Sequence, residues 1–265
     1  MFWNLQSKIW STVFQVEPTL LLWGKVSNTD VTDTYGSVVE CGFHPHLPEV
    51  LQITLSKFHF PMTDPDSTWM VGDIDLFPLQ TKYYCDLGDV VFDNRTYCHI
   101  AGSTEQGVDP LKEPWTVGVK GYGNKRLYGH SHIAKGSLMN RLYANNRPFF
   151  DLVKFVAESD IYGNRSHQAH RMHQYHWCAE EDYTTHSLNH NVLNNSIDVR
   201  IKTPEDHGLR ISRNPYLWEK DPNFSGYKYD GDLLRNQGYI DIHCQRPFSE
   251  QEKSLVEVLT LAGML

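Results

Sequence analysis

Residues 69–79 read WMVGDIDLFPL, an apolar run followed by two aspartates that are separated by one residue, and then by a proline. Residues i and i+2 of an extended strand point to the same side, so we expect Asp73 and Asp75 to project together from a strand that ends at Asp75. Two buried like charges are costly, which favours a cleft where a cation neutralises them. Carboxylates suit Mg²⁺ or Mn²⁺, which keep positions open for phosphate oxygens. The segment therefore predicts a metal site for a nucleoside diphosphate; the alternative is a strand end with two solvated acids.

The composition is that of an ordinary globular protein, with 265 residues, 40% of them hydrophobic, and a net charge of −8. We expect one large domain spanning residues 1–265. The negative charge argues against nucleic acid as a partner. No apolar run approaches the roughly 20 residues that span a bilayer, and no secretory signal is visible. The five cysteines lack C-x-x-C spacing, which argues against a disulfide framework or a zinc knuckle. We therefore expect a cytoplasmic protein in a reducing compartment.

Hydrophobic spacing predicts helices and strands in alternation along the chain. Helices are expected at residues 2–14, 79–86 and 137–158, the last broken at Pro148, and at the C-terminus, where Ser249 and Glu252 form a capping box. Strands are expected at 19–24, before Asp75, at 97–102 and at 239–243, and the first is expected to be covered on both faces. Residues 50–55 fit either state, 103–131 form a long loop, and 200–238 are irregular. The order predicts an α/β fold with a mainly parallel central sheet.

A run of histidines tempts one to see a metal site. The four recur every three residues, so on a helix they drift through roughly half the circumference and cannot all reach one ion. A polar helix face is the expected structure, although two of the four could share a metal. The run consists of His167, His170, His173 and His176.

Three consecutive acids, Glu180, Glu181 and Asp182, follow Trp177. They repel one another unless a cation or hydrogen-bond donors lie close. One interpretation is a helix N-terminus, where the dipole and the free N–H groups would hold one or two of them. The other is a general base that takes a proton from a hydroxyl nucleophile. Both interpretations stay open at the level of sequence.

Taken in order, the motifs resemble those of metal-dependent GT-A glycosyltransferases, especially the compact ones of large DNA viruses of algae. VGDIDLFPLQTKYY resembles the family's D-x-D strand, GHSHIAKGSLM its sugar-pocket turn, HWCAEEDYTTHSL its acidic motif, RISR its short basic strand and YIDIHCQRPFSEQE its closing element. The resemblance runs from about residue 2 to 258. It implies a GT-A fold, which is a Rossmann-like α/β/α sandwich, and the transfer of a sugar from a UDP- or GDP-sugar to a hydroxyl of a glycan or glycoprotein acceptor.

The resemblance also implies a metal shell for Mn²⁺ or Mg²⁺. Asp75 would bind the ion directly, and Asp73 would reach the ribose, or the metal through water. His243 would complete the metal shell, since an imidazole beside carboxylates is compatible with Mn²⁺. Arg246 would neutralise the leaving diphosphate.

Further roles are implied for the acceptor side of the reaction. Glu181, or else Glu180 or Asp182, would be the base of an inverting displacement. Lys135 and His132 would border the donor sugar or the acceptor.

The chain departs from the family at its start, where such enzymes open with a strand that embraces the nucleotide base. Here the sequence begins almost at the first helix, so we expect that strand to be missing or replaced. Two other classes stay open: a metal-dependent phosphoesterase or nuclease, which would gather histidines of the run with acids, and a non-catalytic GT-A-like binding or scaffold protein. The sequence does not specify an oligomeric state.

Overall fold

The computed structural model describes residues 2–85, 90–100, 131–159, 179–194, 196–202, 209–211, 218–220, 227–229, 239–244 and 248–265. The chain forms two compact units. Unit 1 comprises Met1–Cys41, Asp73–Val90 and Thr203–Leu265, and unit 2 comprises Gly42–Gly72 and Val91–Lys202. The prediction of a single domain over residues 1–265 stays a prediction.

Helices and strands are interspersed along the described chain. The α-helices are α1 (Phe2–Thr12), α2 (Glu49–His59), α3 (Thr81–Cys85), α4 (Gly136–Met139), α5 (Phe149–Glu158), α6 (Ala179–Leu193) and α7 (Phe248–Leu261). A π-helix, Asn140–Ala144, continues α4, and 3₁₀ turns lie at Val26–Asn28 and Phe60–Thr63. The strands are β1 (Thr19–Trp23), β2 (Ser37–Cys41), β3 (Thr68–Val71), β4 (Leu76–Pro78), β5 (Thr96–Ile100), β6 (His132–Lys135), β7 (Asp198–Lys202), β8 (Leu209–Ile211), β9 (Trp218–Lys220), β10 (Tyr227–Tyr229) and β11 (Tyr239–His243). The fold is mixed α/β, as predicted.

Unit 1 contains a three-stranded sheet in the order β4-β11-β8. β11 pairs antiparallel with β4 and parallel with β8, while β1 and β2 form a parallel pair and β9 and β10 an antiparallel one. α1 buries Phe2 and Ile9, which are seven residues apart and therefore on one helix face. They join a core formed with Phe77 of β4, Ile242 of β11 and Leu255 of α7. This core surrounds the junction between β4 and β11.

Unit 2 contains a four-stranded sheet in the order β3-β6-β5-β7. β6 is antiparallel to both neighbours, and β7 is parallel to β5. α2 presents Leu51, Leu55 and Phe58 at helical spacing, and all three are fully buried. They pack in one core with Leu152 and Val156 of α5. Each such side chain contributes roughly 1.5–3 kcal/mol on burial.

The prediction of a mainly parallel sheet does not hold for the described strands, where parallel and antiparallel pairs are mixed in both larger sheets. The α/β/α sandwich stays a prediction. β1 is only half-buried along its whole length. The prediction that both of its faces are covered is therefore wrong. β1 pairs with β2 alone among the described strands, which leaves its apolar run partly exposed.

Some predictions of individual helices and strands are confirmed by the structure, and others are wrong. Residues 50–55 are helical, as part of α2, and the predicted break at Pro148 separates the π-helix from α5. Asn145 and Asn146 turn the chain there with positive φ angles of 48° and 59°. The capping role of Ser249 is wrong, because α7 begins one residue earlier and Ser249 lies inside its first turn. Short strands occur within residues 200–238, which were expected to be irregular.

Most of the predicted loop 103–131 lies outside the described residues. Within the described part of the chain, none of the helices combines the length and the apolar character needed to cross a membrane.

Candidate metal centre

Asp73 and Asp75 lie in a turn that precedes β4. The prediction of a strand ending at Asp75 is wrong, because β3 ends at Val71. The Leu76 N–H donates to the carbonyl of Asp73 at 3.2 Å, which closes a turn over residues 73–76. Aspartate is favoured at the first position of such turns, and the preceding Gly72 is a poor strand residue. The turn, and not strand alternation, brings the two carboxylates to one place.

β11 delivers a histidine to the same turn. Its last residue, His243, pairs with Leu76 in the antiparallel ladder between β11 and β4. The ladder is extended by one bond, because the N–H of Cys244 donates to the carbonyl of Asp75 at 2.7 Å. The backbone therefore fixes the end of β11 directly against the aspartate turn.

Asp73, Asp75 and His243 form a group that could hold a metal ion, and we call these three residues the metal group. Each offers one ligand atom, and these atoms all lie within 4.8 Å of one another. Oδ1 of Asp75 lies 3.3 Å from Nε2 of His243. The Asp75 side chain is fully buried, the His243 side chain is 17% exposed, and Asp73 is half-buried. The predicted convergence of these three residues is confirmed.

The group suits a divalent cation in its chemistry and comes close to the spacing that one needs. An ion at about 2 Å from each ligand atom needs ligand atoms roughly 3–4 Å apart, which small side-chain movements would produce here. Two carboxylates and an imidazole are ordinary ligands of divalent first-row metals. Burying the Asp75 carboxylate is unfavourable unless positive charge or hydrogen bonds compensate it, and a cation would supply such compensation.

A further buried carboxylate lies on β11, two residues before His243. Asp241 is fully buried and accepts a hydrogen bond of 2.8 Å from the hydroxyl of Tyr84. Sequence reasoning missed both residues. The available signal was the spacing of Asp241 and His243 in YIDIH, because alternate strand residues share one face.

The acid triplet occupies the first turn of α6. Glu180 is buried, and its Oε1 lies 3.1 Å from Nζ of Lys57 on α2. Its repulsion by the neighbouring acids is therefore offset by a lysine and by the start of a helix. The side chains of Glu181 and Asp182 lie outside the described residues. The general-base role of any of the three stays a prediction.

His132 and Lys135 belong to β6 in unit 2. His132 is fully buried; its Nδ1 is hydrogen-bonded to the hydroxyl of Tyr97, and its ring lies edge-on to Phe58 with centroids 4.9 Å apart. Lys135 is half-buried and precedes α4 as its N-cap residue. These contacts give His132 a packing role, and the predicted roles of both residues at the sugar stay predictions.

Tyr97 extends this buried network to the π-helix. Its hydroxyl lies 2.6 Å from that of Tyr143, and both side chains are fully buried. Burial raises the pKa of Tyr97 and the pKa of Tyr143 well above the ordinary tyrosine value. Both hydroxyls are therefore neutral at physiological pH and act as hydrogen-bonding groups in the core of unit 2.

Arg246 and the histidine run at residues 167–176 lie outside the described residues, so their predicted roles stay predictions. No protein-family model, curated protein or solved structure matches this chain.

Proposed function

We propose that this protein is a metal-dependent glycosyltransferase of the GT-A type. It would move a sugar from a UDP- or GDP-sugar to a hydroxyl of a glycan or glycoprotein acceptor. The observation that carries the proposal is the convergence of Asp73, Asp75 and His243. A D-x-D pair joined by a histidine from a late strand is the ligand set that the resemblance implies, and it arises here from segments far apart in sequence.

The donor set favours Mn²⁺ over Mg²⁺. Mg²⁺ takes oxygen ligands almost exclusively, whereas Mn²⁺ accepts an imidazole beside carboxylates. Asp75 and His243 would hold the ion, with Asp73 binding it directly or through water. When bound, the cation offsets the charge that develops on the nucleoside diphosphate as the sugar leaves.

The protein's own residues prepare this site before a donor arrives. The bond between the Cys244 N–H and the Asp75 carbonyl fixes the aspartate turn, so little reorganisation is needed on binding. The burial of Asp75 places one ligand in a region of low dielectric constant, where its attraction to a cation is strengthened. Arg246 follows His243 by three residues and would bind the leaving diphosphate.

The base would be one of the three acids at the start of α6. Because Lys57 engages the carboxylate of Glu180, Glu181 is the first choice, with Asp182 next. A carboxylate that takes the acceptor's proton would give an inverting displacement.

Isothermal titration calorimetry tests the proposal. Wild-type protein is titrated with UDP, GDP and their sugar conjugates, with and without Mn²⁺, and the titrations are repeated on Asp75→Ala. Asp198→Ala is the matched control, because it removes an aspartate carboxylate whose side chain is 69% exposed and which has no proposed role in binding. We expect Mn²⁺-dependent nucleotide binding that Asp75→Ala abolishes and Asp198→Ala retains.

Two results would contradict the proposal. No binding to any nucleotide would rule out the transferase and favour a non-catalytic protein. Mn²⁺ binding together with hydrolysis of phosphate esters, and no turnover of nucleotide sugars, would identify a phosphoesterase.

A further inference from the structure

The metal group is assembled from two chain segments, the turn at residues 73–75 and the end of β11. Ligands from separate segments keep their spacing only if the segments are held against each other. The backbone provides part of this hold through the pairing of His243 with Leu76 and the bond from Cys244 to Asp75. Side chains around the group provide a second set of ties.

The first side-chain tie joins α3 to β11. The hydroxyl of Tyr84 donates to Oδ2 of Asp241 at 2.8 Å, and both residues are buried. Asp241 and His243 are alternate residues of β11, so they share a face of the strand. α3 follows β4 directly in the chain, and the Tyr84 hydroxyl therefore anchors the segment after the aspartate turn to the strand that carries His243.

The second tie joins α1 to the aspartate turn. Nε2 of Gln6, a buried side chain, donates to the carbonyl of Leu76, the residue after Asp75. Oε1 of Gln6 accepts a bond of 3.2 Å from Nε1 of Trp10. The ring of Trp10 meets the ring of Tyr84 edge-on, with centroids 5.4 Å apart and planes at 90°.

These contacts close a ring around the metal group. The ring runs from Leu76 through Gln6 and Trp10 to Tyr84, from there to Asp241, and along β11 back to the pairing with Leu76. A shift of either ligand segment therefore strains at least one of these contacts. A closed set of contacts fixes relative position better than the same bonds made independently, because each contact limits the freedom of the next.

We propose that Tyr84 and Gln6 are positioning residues for the metal group, Tyr84 acting through Asp241 on His243 and Gln6 acting through Leu76 on the aspartate turn. This inference rests on the proposed function, which identifies the group as a metal site. Contacts that orient metal ligands without touching the ion typically change metal affinity 10–100-fold when removed.

The test compares two substitutions that each remove one buried hydroxyl. Tyr84→Phe loses the bond to Asp241 and keeps the aromatic ring. Tyr97→Phe loses the contacts of its hydroxyl with Tyr143 and His132 in unit 2, and it controls for a general loss of stability. The affinity for Mn²⁺ alone is measured by electron paramagnetic resonance of the free ion. We expect Tyr84→Phe to bind Mn²⁺ about 10–100-fold more weakly than wild type, and Tyr97→Phe to match wild type.

A second readout needs no metal. The imidazole ¹⁵N and ¹H resonances of His243 are assigned by their loss in His243→Gln and are recorded for each variant in the presence of a chelator. We expect Tyr84→Phe to shift these resonances and Tyr97→Phe to leave them in place. If Tyr84→Phe fails to fold, Gln6→Leu replaces it. Its control is then Gln52→Leu, which removes a buried glutamine that bonds backbone carbonyls in unit 2.

The outcomes separate this inference from the proposed function. A wild-type protein that binds no Mn²⁺ but shows shifted His243 resonances in Tyr84→Phe would refute the metal site and support the positioning role. A wild type that binds Mn²⁺, with neither its affinity nor its His243 resonances altered by Tyr84→Phe, would overturn the positioning role and leave the metal site intact.

Discussion

Each unit of the protein buries carboxylates, and the two units treat them differently. In unit 2 the carboxylate of Glu180 has a cation built into the fold, with Lys57 at 3.1 Å. In unit 1 two aspartates gather around an imidazole, with one carboxylate fully buried. A buried acid beside a lysine is a structural ion pair. Acids clustered with an imidazole have the arrangement of metal ligands. The contrast shows that the identity of the neighbours, and not burial itself, distinguishes a candidate site from a structural pair.

The largest effect is expected when Lys57, the ion-pair partner of Glu180, loses its charge. Lys57→Met should lower the free energy of unfolding by about 3 kcal/mol, because it leaves the Glu180 carboxylate buried without its ion-pair partner. Urea denaturation measures the change. The double variant Lys57→Met/Glu180→Leu should recover most of the loss, since apolar side chains can replace a buried pair. A single variant as stable as wild type would contradict the structural assignment of this pair.

Alkaline pH should selectively weaken unit 2. The pKa values of Tyr97 and Tyr143 are raised by burial, so the folded state keeps both protons while the unfolded state loses them above about pH 10. Stability is therefore fully present below pH 10 and falls above it, by about 1.4 kcal/mol per pH unit for each tyrosine. Unfolding free energies from pH 9 to 11.5 measure this slope. Tyr97→Phe should flatten it, and Tyr35→Phe, at an exposed tyrosine, should not.

Asp75→Asn tests whether the buried carboxylate of unit 1 is a metal ligand. With a chelator present, we expect this variant to be about 1 kcal/mol more stable than wild type, because an amide is easier to bury near Asp73 than a second carboxylate. Saturating Mn²⁺ should reverse the order, since a ligand at 100 times its Kd stabilises the wild type by about 2.7 kcal/mol. Thermal unfolding in the two conditions measures both differences. If Asp75→Asn stays more stable than wild type in saturating Mn²⁺, Asp75 is not a metal ligand.

The smallest effect is expected for a pair that is exposed. Lys25 lies 2.8 Å from Glu40, closer than Lys57 lies to Glu180, but its side chain is 69% exposed. The hydrogen bond from Lys25 lowers the pKa of Glu40, yet solvent screens such pairs. Lys25→Ala should therefore leave the midpoint of urea denaturation unchanged. A loss comparable to that of Lys57→Met would mean that distance, and not burial, sets the strength of these pairs.

The sequence predicted local structure where spacing was decisive. The helix at residues 2–14 was read from Phe2, Ile9 and Trp10, and the structure has α1 at Phe2–Thr12. The strand at residues 239–243 was predicted with the bounds that β11 has. The state of residues 50–55 stayed ambiguous because a short apolar run fits either a helix or a strand. In the structure the segment is helical, and Leu51, Leu55 and Phe58 form the buried face of α2.

The candidate site was predicted in its members but not in its construction. The resemblance named Asp73, Asp75 and His243, and the three converge. The route was wrong: a turn closed by Leu76 presents the aspartates, where strand alternation was expected. The Tyr84–Asp241 bond joins residues 157 positions apart, and the antiparallel pairing of β4 with β11 is equally non-local. No local pattern specifies such partners. The mainly parallel sheet was expected from the alternation of helices and strands alone, and that alternation does not reveal the antiparallel pairing.

We propose that one metal ion binds at Asp73, Asp75 and His243, with His243 as a direct ligand. Pulsed electron paramagnetic resonance of bound Mn²⁺ tests it directly, because a coordinated imidazole nitrogen modulates the electron spin echo. We predict a nitrogen signal from a single histidine in the wild type and its loss in His243→Gln. A Mn²⁺ spectrum without nitrogen modulation, or one that His243→Gln leaves unchanged, would contradict the claim.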